Sequence, residues 1–273
     1  MSSQNKLYIL PNDCIIYIWT FLDDKSLNCI LEICKYFAKD MLYELKSRKI
    51  YNLYEEGWEN ANNLLIEQNI SLNKIKLPDS LHTLEFGYYF DQPLYDVKFP
   101  DSVHTLTFGD KFNQPLDNVK FPDSVHTLTF SNRFDQSLDN VKFPDSVHAL
   151  TFGDEFDQPL DNVKFPDSLQ ILEFGYNFNQ SLNNVKFPDS LHTLTFYCRF
   201  NQPLNNVKFP DSLHTLTFGD GFNQPLDDVK LPDSFHTLIL NCYFKLSDNF
   251  KFPDSLHTLS LIHISEPTRR TPI

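Results

Sequence analysis

Histidine is the residue type whose spacing in this sequence comes nearest to that of a chemical site. Neutral imidazoles on neighbouring turns of a regular fold could share a Zn²⁺ ion. We favour a structural role instead, because a metal site would be singular whereas this residue recurs in nearly every copy of a repeat. The recurring residues are His82, His104, His126, His148, His192, His214, His236 and His257, with Gln170 in the gap.

Other polar residues follow the same period. Aspartates from Asp79 to Asp254 and lysines from Lys76 to Lys251 lie three residues apart across a proline. This spacing predicts surface salt bridges, each worth about 0 to 1 kcal/mol. Pairs such as Asn113-Gln114 are predicted to satisfy backbone groups at a corner. The sequence supports no carboxylate pair for hydrolysis, and there is no phosphate loop, nucleophile elbow or HExxH motif. The sequence therefore predicts a protein that is not an enzyme and that has no cofactor and no metal site.

A tandem repeat places all these residues in columns. The tripeptide Pro-Asp-Ser begins at residues 78, 100, 122, 144, 166, 188, 210, 232 and 253. Most phenylalanines fall in three further columns, and one repeat cannot bury them without stacked neighbours. Leu216 and Phe218 alternate with Thr215 and Thr217, which predicts a half-buried strand. A second short extended segment is expected at residues 119–121, before the proline turn.

The repeat closely resembles the FNIP repeat family. Its consensus is P-D-S-L-H-T-L-T-F-G-D-x-F-N-Q-P-L-D-N-V-K-F, and its L-x-x-L-x-F segment resembles the L-x-x-L-x-L of leucine-rich repeats. That family is found in amoebae and in the large viruses that infect them. The resemblance covers residues 72–259. It implies a β-rich, leucine-rich-repeat-like solenoid of parallel strands that works in protein–protein recognition and carries out no catalysis.

The positions that vary among the copies are the candidate target-binding residues. Most of them occupy the two places after the glycine that ends each strand, while most other columns barely change. Varied side chains on one edge of a rigid frame suit a binding surface, although drift at a solvated corner is equally open. The outward strand position adds Glu85 and Glu173 among threonines. The candidates are Tyr88, Tyr89, Lys111, Arg133, Glu155, Tyr176, Tyr197, Arg199 and Tyr243.

Residues 8–48 are predicted to form a small all-α module. Ile15, Ile18 and Leu22 share one face of a helix, and Leu27 and Leu31 share one face of the next. A third helix is expected to follow. Three short helices bury little apolar surface alone, so these faces predict a partner, or else contact with the first turn of the solenoid.

The same module resembles an F-box in its Leu10-Pro11 start, its apolar helix faces and its Cys34-Lys35-Tyr36-Phe37 ending. The resemblance is confined to residues 10–45. It implies docking onto a Skp-family adaptor and, through that adaptor, onto a cullin-RING (SCF-type) ubiquitin ligase. The residues that would make the adaptor contact are Leu10, Pro11, Ile15, Ile18, Leu22, Leu27 and Leu31.

The segments on either side of the repeats differ from them in sequence. Residues 49–71 are too apolar for a free linker, with Tyr51, Trp58 and Leu64 among them, and are predicted to be a helical connector that caps the solenoid. Residues 260–273 are predicted to be an irregular tail. The run L-S-L-I-H-I-S-E-P-T-R resembles the translation of an adapter used in sequencing libraries, so we exclude it from fold reasoning.

Charge and cysteine usage limit the partners. The sequence has 23 Lys and Arg against 36 Asp and Glu, a net charge of −13. This excludes nucleic acid and anionic membrane as main partners, since both need a positive surface. Five cysteines without a CxxC pair indicate a reducing compartment. We expect a cytoplasmic protein, in the host cytoplasm if it is viral.

The leading hypothesis is a ligase substrate receptor with an unknown protein target, and the alternative is an interaction scaffold with no ligase role.

Overall fold

The computed structural model describes residues 50–51, 58–241, 243–245, 247 and 250–262. The predicted helical module at residues 8–48, with all seven candidate adaptor-binding residues, lies outside the described residues. Residues 263–273 of the predicted tail lie outside them too. The expectations for those segments therefore stay predictions.

Eleven short strands form one parallel sheet whose strand order follows the chain. Consecutive strands pair one repeat apart, so that Leu106 lies opposite Leu128. Each repeat is therefore one coil of a parallel β-solenoid, which confirms the fold predicted for the repeats. The strands are β1 (Ile50–Tyr51), β2 (Asn63–Ile66), β3 (Thr83–Phe86), β4 (Thr105–Thr107), β5 (Thr127–Thr129), β6 (Ala149–Thr151), β7 (Ile171–Phe174), β8 (Thr193–Phe196), β9 (Thr215–Phe218), β10 (Thr237–Asn241) and β11 (Thr258–Ile262).

The core lies behind the sheet, where like residues stack on like. In strands such as β9, the residues alternate between half-buried threonine and buried leucine or phenylalanine. The phenylalanines that end the strands stack with ring centroids 4.9 to 5.7 Å apart from Phe86 to Phe218. A second column holds Phe112, Phe134 and Phe156 at centroid separations of 6.1 to 6.2 Å, all fully buried. Each coil therefore depends on its neighbours for burial, as expected for a solenoid.

Side-chain hydrogen bonds between coils run alongside the sheet. The Ser124 hydroxyl of one Pro-Asp-Ser turn donates to the Val103 carbonyl of the preceding coil, at 2.7 Å. On another side, Asn113 Oδ1 accepts from the Asp135 backbone N–H at 3.0 Å and from Gln136 Nε2 at 2.9 Å. The prediction that the Asn-Gln pairs satisfy backbone groups at a corner is confirmed. These bonds repeat from coil to coil and fix the stacking register.

Two local features differ from the sequence-based expectations. Residues 119–121 form no strand, because the Val119 N–H donates to the Leu116 carbonyl at 3.0 Å and closes a turn instead. Only Lys76 and Asp79 approach within 4.0 Å among the described residues of the Lys and Asp columns. Both side chains are more than 80% exposed, so solvent weakens the attraction that was expected to pair these columns.

The ends of the described array also differ from expectation. A helical connector was predicted over residues 49–71, but the described part of that segment holds β1, a short 3-10 helix at Trp58–Asn60, and β2. Leu64 and Ile66 are two residues apart and both buried, which is the alternation of a strand. At the other end, the excluded tail was set to begin at residue 260, yet strand β11 continues to Ile262 and pairs with β10.

Candidate protein-interaction surface

The two variable residues that follow the glycine column of each repeat, such as Tyr88-Tyr89, form an edge that we call the corner. Its backbone is a hydrogen-bonded ladder in which the second corner residue donates to the first corner residue of the preceding coil. The Lys111 N–H thus donates to the Tyr88 carbonyl at 3.0 Å, and the Arg199 N–H donates to the Tyr176 carbonyl at 3.0 Å. The corner therefore combines varied side chains with a backbone held in the same way from coil to coil.

In the column just before the corner, the backbones of neighbouring coils approach closely. A Cβ added at Gly109 would lie 1.9 Å from the Gly87 carbonyl oxygen, far inside contact distance. Ser131 and Asn241 stand in this column and are both buried, and their side chains donate to backbone carbonyls of the preceding coil. Tight packing here holds the corner against the body of the solenoid.

Aromatic and cationic side chains meet at two points of the corner. The Tyr88 and Tyr89 rings make an edge-to-face contact with centroids 4.8 Å apart. Lys111 Nζ lies 4.5 Å from the Tyr89 centroid and 5.4 Å from that of Tyr88. The Arg199 guanidinium carbon lies 5.3 Å from the centroid of the Tyr176 ring. Cation–π contacts of this kind orient both groups while leaving ring surface for a partner.

The remaining candidate residues lie in the corner or in the column just before it. Arg133, Glu155 and Tyr243 are exposed, and Tyr243 has 74% of its surface in solvent. Tyr197 lies in the glycine column and is half-buried. Among the described candidates, the recorded ring and cation contacts thus join two groups, Tyr88–Tyr89–Lys111 and Tyr176–Arg199.

The sheet's solvent side carries residues that the sequence reasoning missed. We call the strand positions that alternate with the buried ones the outward face, and most of them are threonine. On β7 the first of these positions is Ile171, which is 39% exposed and lies in register with Ala149 of β6. The signal was available in the sequence, because Ile171 interrupts the threonine column beside Gln170, which interrupts the histidine column.

The phenol of Tyr197 lies partly buried beside acidic side chains. Burial raises the pKa of its phenol above the ordinary tyrosine value, and the negative charges of Glu173 and Asp154 and a smaller contribution from Cys198 raise it further. An acidic field therefore surrounds the outward face where β7 meets the corner.

The histidine column forms a stack along the solenoid. His82 and His104 have ring centroids 5.4 Å apart and nearly parallel planes, and His192 and His214 have centroids 5.0 Å apart. His82 Nδ1 lies 2.7 Å from the Ser80 carbonyl oxygen, so this nitrogen carries the proton and donates. In the described part of the chain, no three His, Cys, Asp or Glu side chains gather as ligands for a metal ion.

The geometry defines a class of protein, a parallel β-solenoid of leucine-rich-repeat type that presents varied side chains along one edge. The sequence pattern of the FNIP Repeat family matches residues 69–111, 90–133, 112–155, 134–177, 156–199 and 200–243. These matches cover more than half of the chain, and the chain belongs to the FNIP repeat family. Within residues 50–51, 58–241, 243–245, 247 and 250–262, no helix is long and apolar enough to cross a bilayer.

One solved structure supports the same fold. The crystal structure of CroV588, a giant-virus protein described as a novel circular leucine-rich-repeat structure, is similar with 32% identity and a TM-score of 0.53. The match covers 76% of this chain and 40% of that one, so the chain spans well under half of that protein's length. A leucine-rich repeat protein from Bacteroides ovatus matches with 18% identity and a TM-score of 0.24, over 77% of this chain and 72% of that one. No curated protein matches the sequence.

Proposed function

We propose that this protein is a receptor that holds a target protein on its solenoid and connects it to a cullin-RING ubiquitin ligase. A repeat solenoid of this family is suited to protein–protein interaction. The observation that carries the target-binding half is the corner, where exposed and varied side chains stand on a backbone ladder shared by successive coils. Variation concentrated on a rigid frame suits recognition, with tyrosine and arginine as anchors.

The ligase half of the proposal rests on the F-box resemblance of residues 10–45. Leu10, Pro11 and the apolar positions from Ile15 to Leu31 would dock on a Skp-family adaptor, and the adaptor would bring the cullin. The ligase would carry out the ubiquitin transfer, while this chain contributes binding alone. The location proposed for it is the cytoplasm, where such a ligase would meet its substrates.

A pull-down from eukaryotic lysate tests the ligase half directly. The intact chain is compared with an Ile15→Asp, Ile18→Asp double variant, since two carboxylates on an apolar docking face cannot be desolvated. The matched control is Asn118→Asp, Asn140→Asp, which adds the same charge at exposed loop positions of the solenoid. We expect Skp-family adaptor and cullin with the intact chain and with the control, and neither with the double variant.

The opposite result separates the two functional hypotheses. If the intact chain is folded by circular dichroism and recovers neither adaptor nor cullin, the ligase role is wrong. The protein is then a repeat-based interaction scaffold with no ligase role. That outcome leaves the solenoid's own binding surface to be tested separately.

A further inference from the structure

Two glutamates stand in one column of the outward face and enclose three threonines. The strand register places Glu85 beside Thr107 and Thr151 beside Glu173, with Thr129 between the two threonines. The next two coils return to threonine in the same column. Between Glu85 and Thr217, this column therefore holds two glutamates, and its other members are threonines.

The separation of these carboxylates is set by the sheet. They lie four strand steps apart, and parallel strands are spaced by about 4.8 Å, so the distance along the sheet is about 19 Å. An extended chain advances about 3.3 Å per residue, so about six residues of a bound segment would cover it. A segment that crosses the strands could therefore meet both glutamates at once.

Neither carboxylate is neutralised within the described chain. Both side chains are half-buried, and no lysine or arginine among the described residues comes within 4.0 Å of either one. The Thr151 hydroxyl donates to Glu173 Oε2 at a long 3.5 Å. A charge that is partly removed from water gains most from an opposite charge brought by a partner.

The corner residues that follow the two glutamates are alike. Glu85 is followed three residues later by Tyr88, and Lys111 of the next coil lies over that ring. Glu173 is likewise followed by Tyr176, and the next coil again supplies the cation over the ring. The two cations are thus engaged at the corner rather than with the glutamates, and both carboxylates remain open to a ligand on the outward face.

The strand of the second glutamate exposes an apolar residue where the strand of the first has a threonine. Ile171 is 39% exposed on β7, two residues before Glu173, where the corresponding residue of β3 is Thr83. Ala149 lies beside it in register and adds a small apolar surface. An exposed isoleucine beside a carboxylate suits a bound segment in which a basic residue is next to an apolar one.

We infer that the outward column from Glu85 to Glu173 binds an extended protein segment with two Lys or Arg side chains about six residues apart and an apolar residue against Ile171. This inference rests on the proposed target-binding function and adds the chemistry of the target. The net charge of −13 agrees with a basic partner and opposes an acidic one.

Fluorescence anisotropy with the full chain tests the inference. The probes are fluorescein-labelled peptides of serine, threonine and glycine that carry two arginines six residues apart and an isoleucine beside one of them. Glu85→Gln and Glu173→Gln should each weaken binding about fivefold, and Ile171→Thr, which restores the repeat's own residue, should weaken it about twofold. Peptides whose arginines are closer or further apart should bind more weakly, and glutamate versions should not bind.

The matched controls are Asp123→Asn and Asp167→Asn, which remove exposed charges from Pro-Asp-Ser turns. Their dissociation constants should stay at the intact chain's value. The inference is overturned if they lose as much affinity as the glutamate variants, since binding would then follow net charge alone. It is also overturned if the peptides do not bind. Recovery of adaptor and cullin in the pull-down is independent of both results, so the receptor proposal can stand when the inference falls.

Discussion

The glycine column shows how a single atom limits the repeat. At Gly109 an added Cβ would lie 1.9 Å from the Gly87 carbonyl oxygen, and the surrounding backbone is fixed by the ladders on both sides. We expect Gly109→Ala to lower the free energy of unfolding by about 1–3 kcal/mol, measured by urea denaturation, because coils must separate to admit the methyl group.

The control for this substitution lies in the same column. Ser131 already carries a Cβ, and its hydroxyl donates to the Phe112 carbonyl at 2.6 Å. Ser131→Ala should therefore cost about 0.5–1.5 kcal/mol, the value of one hydrogen bond. A Gly109→Ala variant as stable as the intact chain would show that the coils can move apart at no cost.

Tyr197 predicts how stability changes with pH. Its folded pKa is raised, so below about pH 10 the phenol is neutral in both states and has no effect. Above that pH the unfolded state loses the proton first, and stability falls as the pH rises towards the folded pKa. The intact chain should therefore lose stability relative to Tyr197→Phe at alkaline pH and match its pH dependence near neutrality. A constant difference across the range would contradict the raised pKa.

The sequence predicted the corner but not the whole outward face. Corner residues such as Tyr89 and Lys111 were recognised because their columns change from copy to copy. Ile171 was missed because a lone isoleucine in a strand is ordinary, although it interrupts the threonine column of the solvent side. The cation–π partners could not be predicted either, since they join side chains from different coils.

The repeating unit of this fold is the coil. Substitutions in the phenylalanine columns test how neighbouring coils share a core. Phe156 is fully buried between Phe134 and Phe178, whereas Phe187 is half-buried in the third column. Phe156→Ala should cost about 3–5 kcal/mol and Phe187→Ala clearly less, because more contact area is lost at the buried site. Equal shifts in denaturation midpoint would mean that the columns do not differ in burial.

Strands were predicted correctly where the repeat places each one beside the same segment of the next coil. The alternation of Thr215 to Phe218 predicted β9, and the strand register follows from the constant repeat length. The strand β2 was missed because its apolar residues were interpreted as a helical cap. The expected strand at residues 119–121 was wrong because the Val119 N–H closes a turn with Leu116, and that turn depends on the folded coil rather than on strand propensity.

For the whole array, we expect folding to depend on keeping complete repeats rather than on the total number of residues. Removing residues 122–143 takes out one complete repeat and joins Phe121 to Pro144, which recreates the normal junction. We expect that chain to fold with strand circular dichroism and protease resistance like the intact chain. Removing residues 122–132 should abolish both, since half a coil cannot continue the sheet and the core columns together. Equal behaviour of the two deletions would contradict nearest-neighbour stacking.

The central claim is that the corner and the outward face form the recognition surface, and site-specific photo-crosslinking tests it most directly. A photoreactive phenylalanine would replace Tyr89 or Tyr176, and the controls would carry it at Lys120 or Lys164, exposed loop positions outside the corner and the sheet. We predict that both corner positions crosslink the same partner protein in cells and that the control positions do not. A partner that co-purifies with every variant but crosslinks only at Lys120 or Lys164 would contradict the claim.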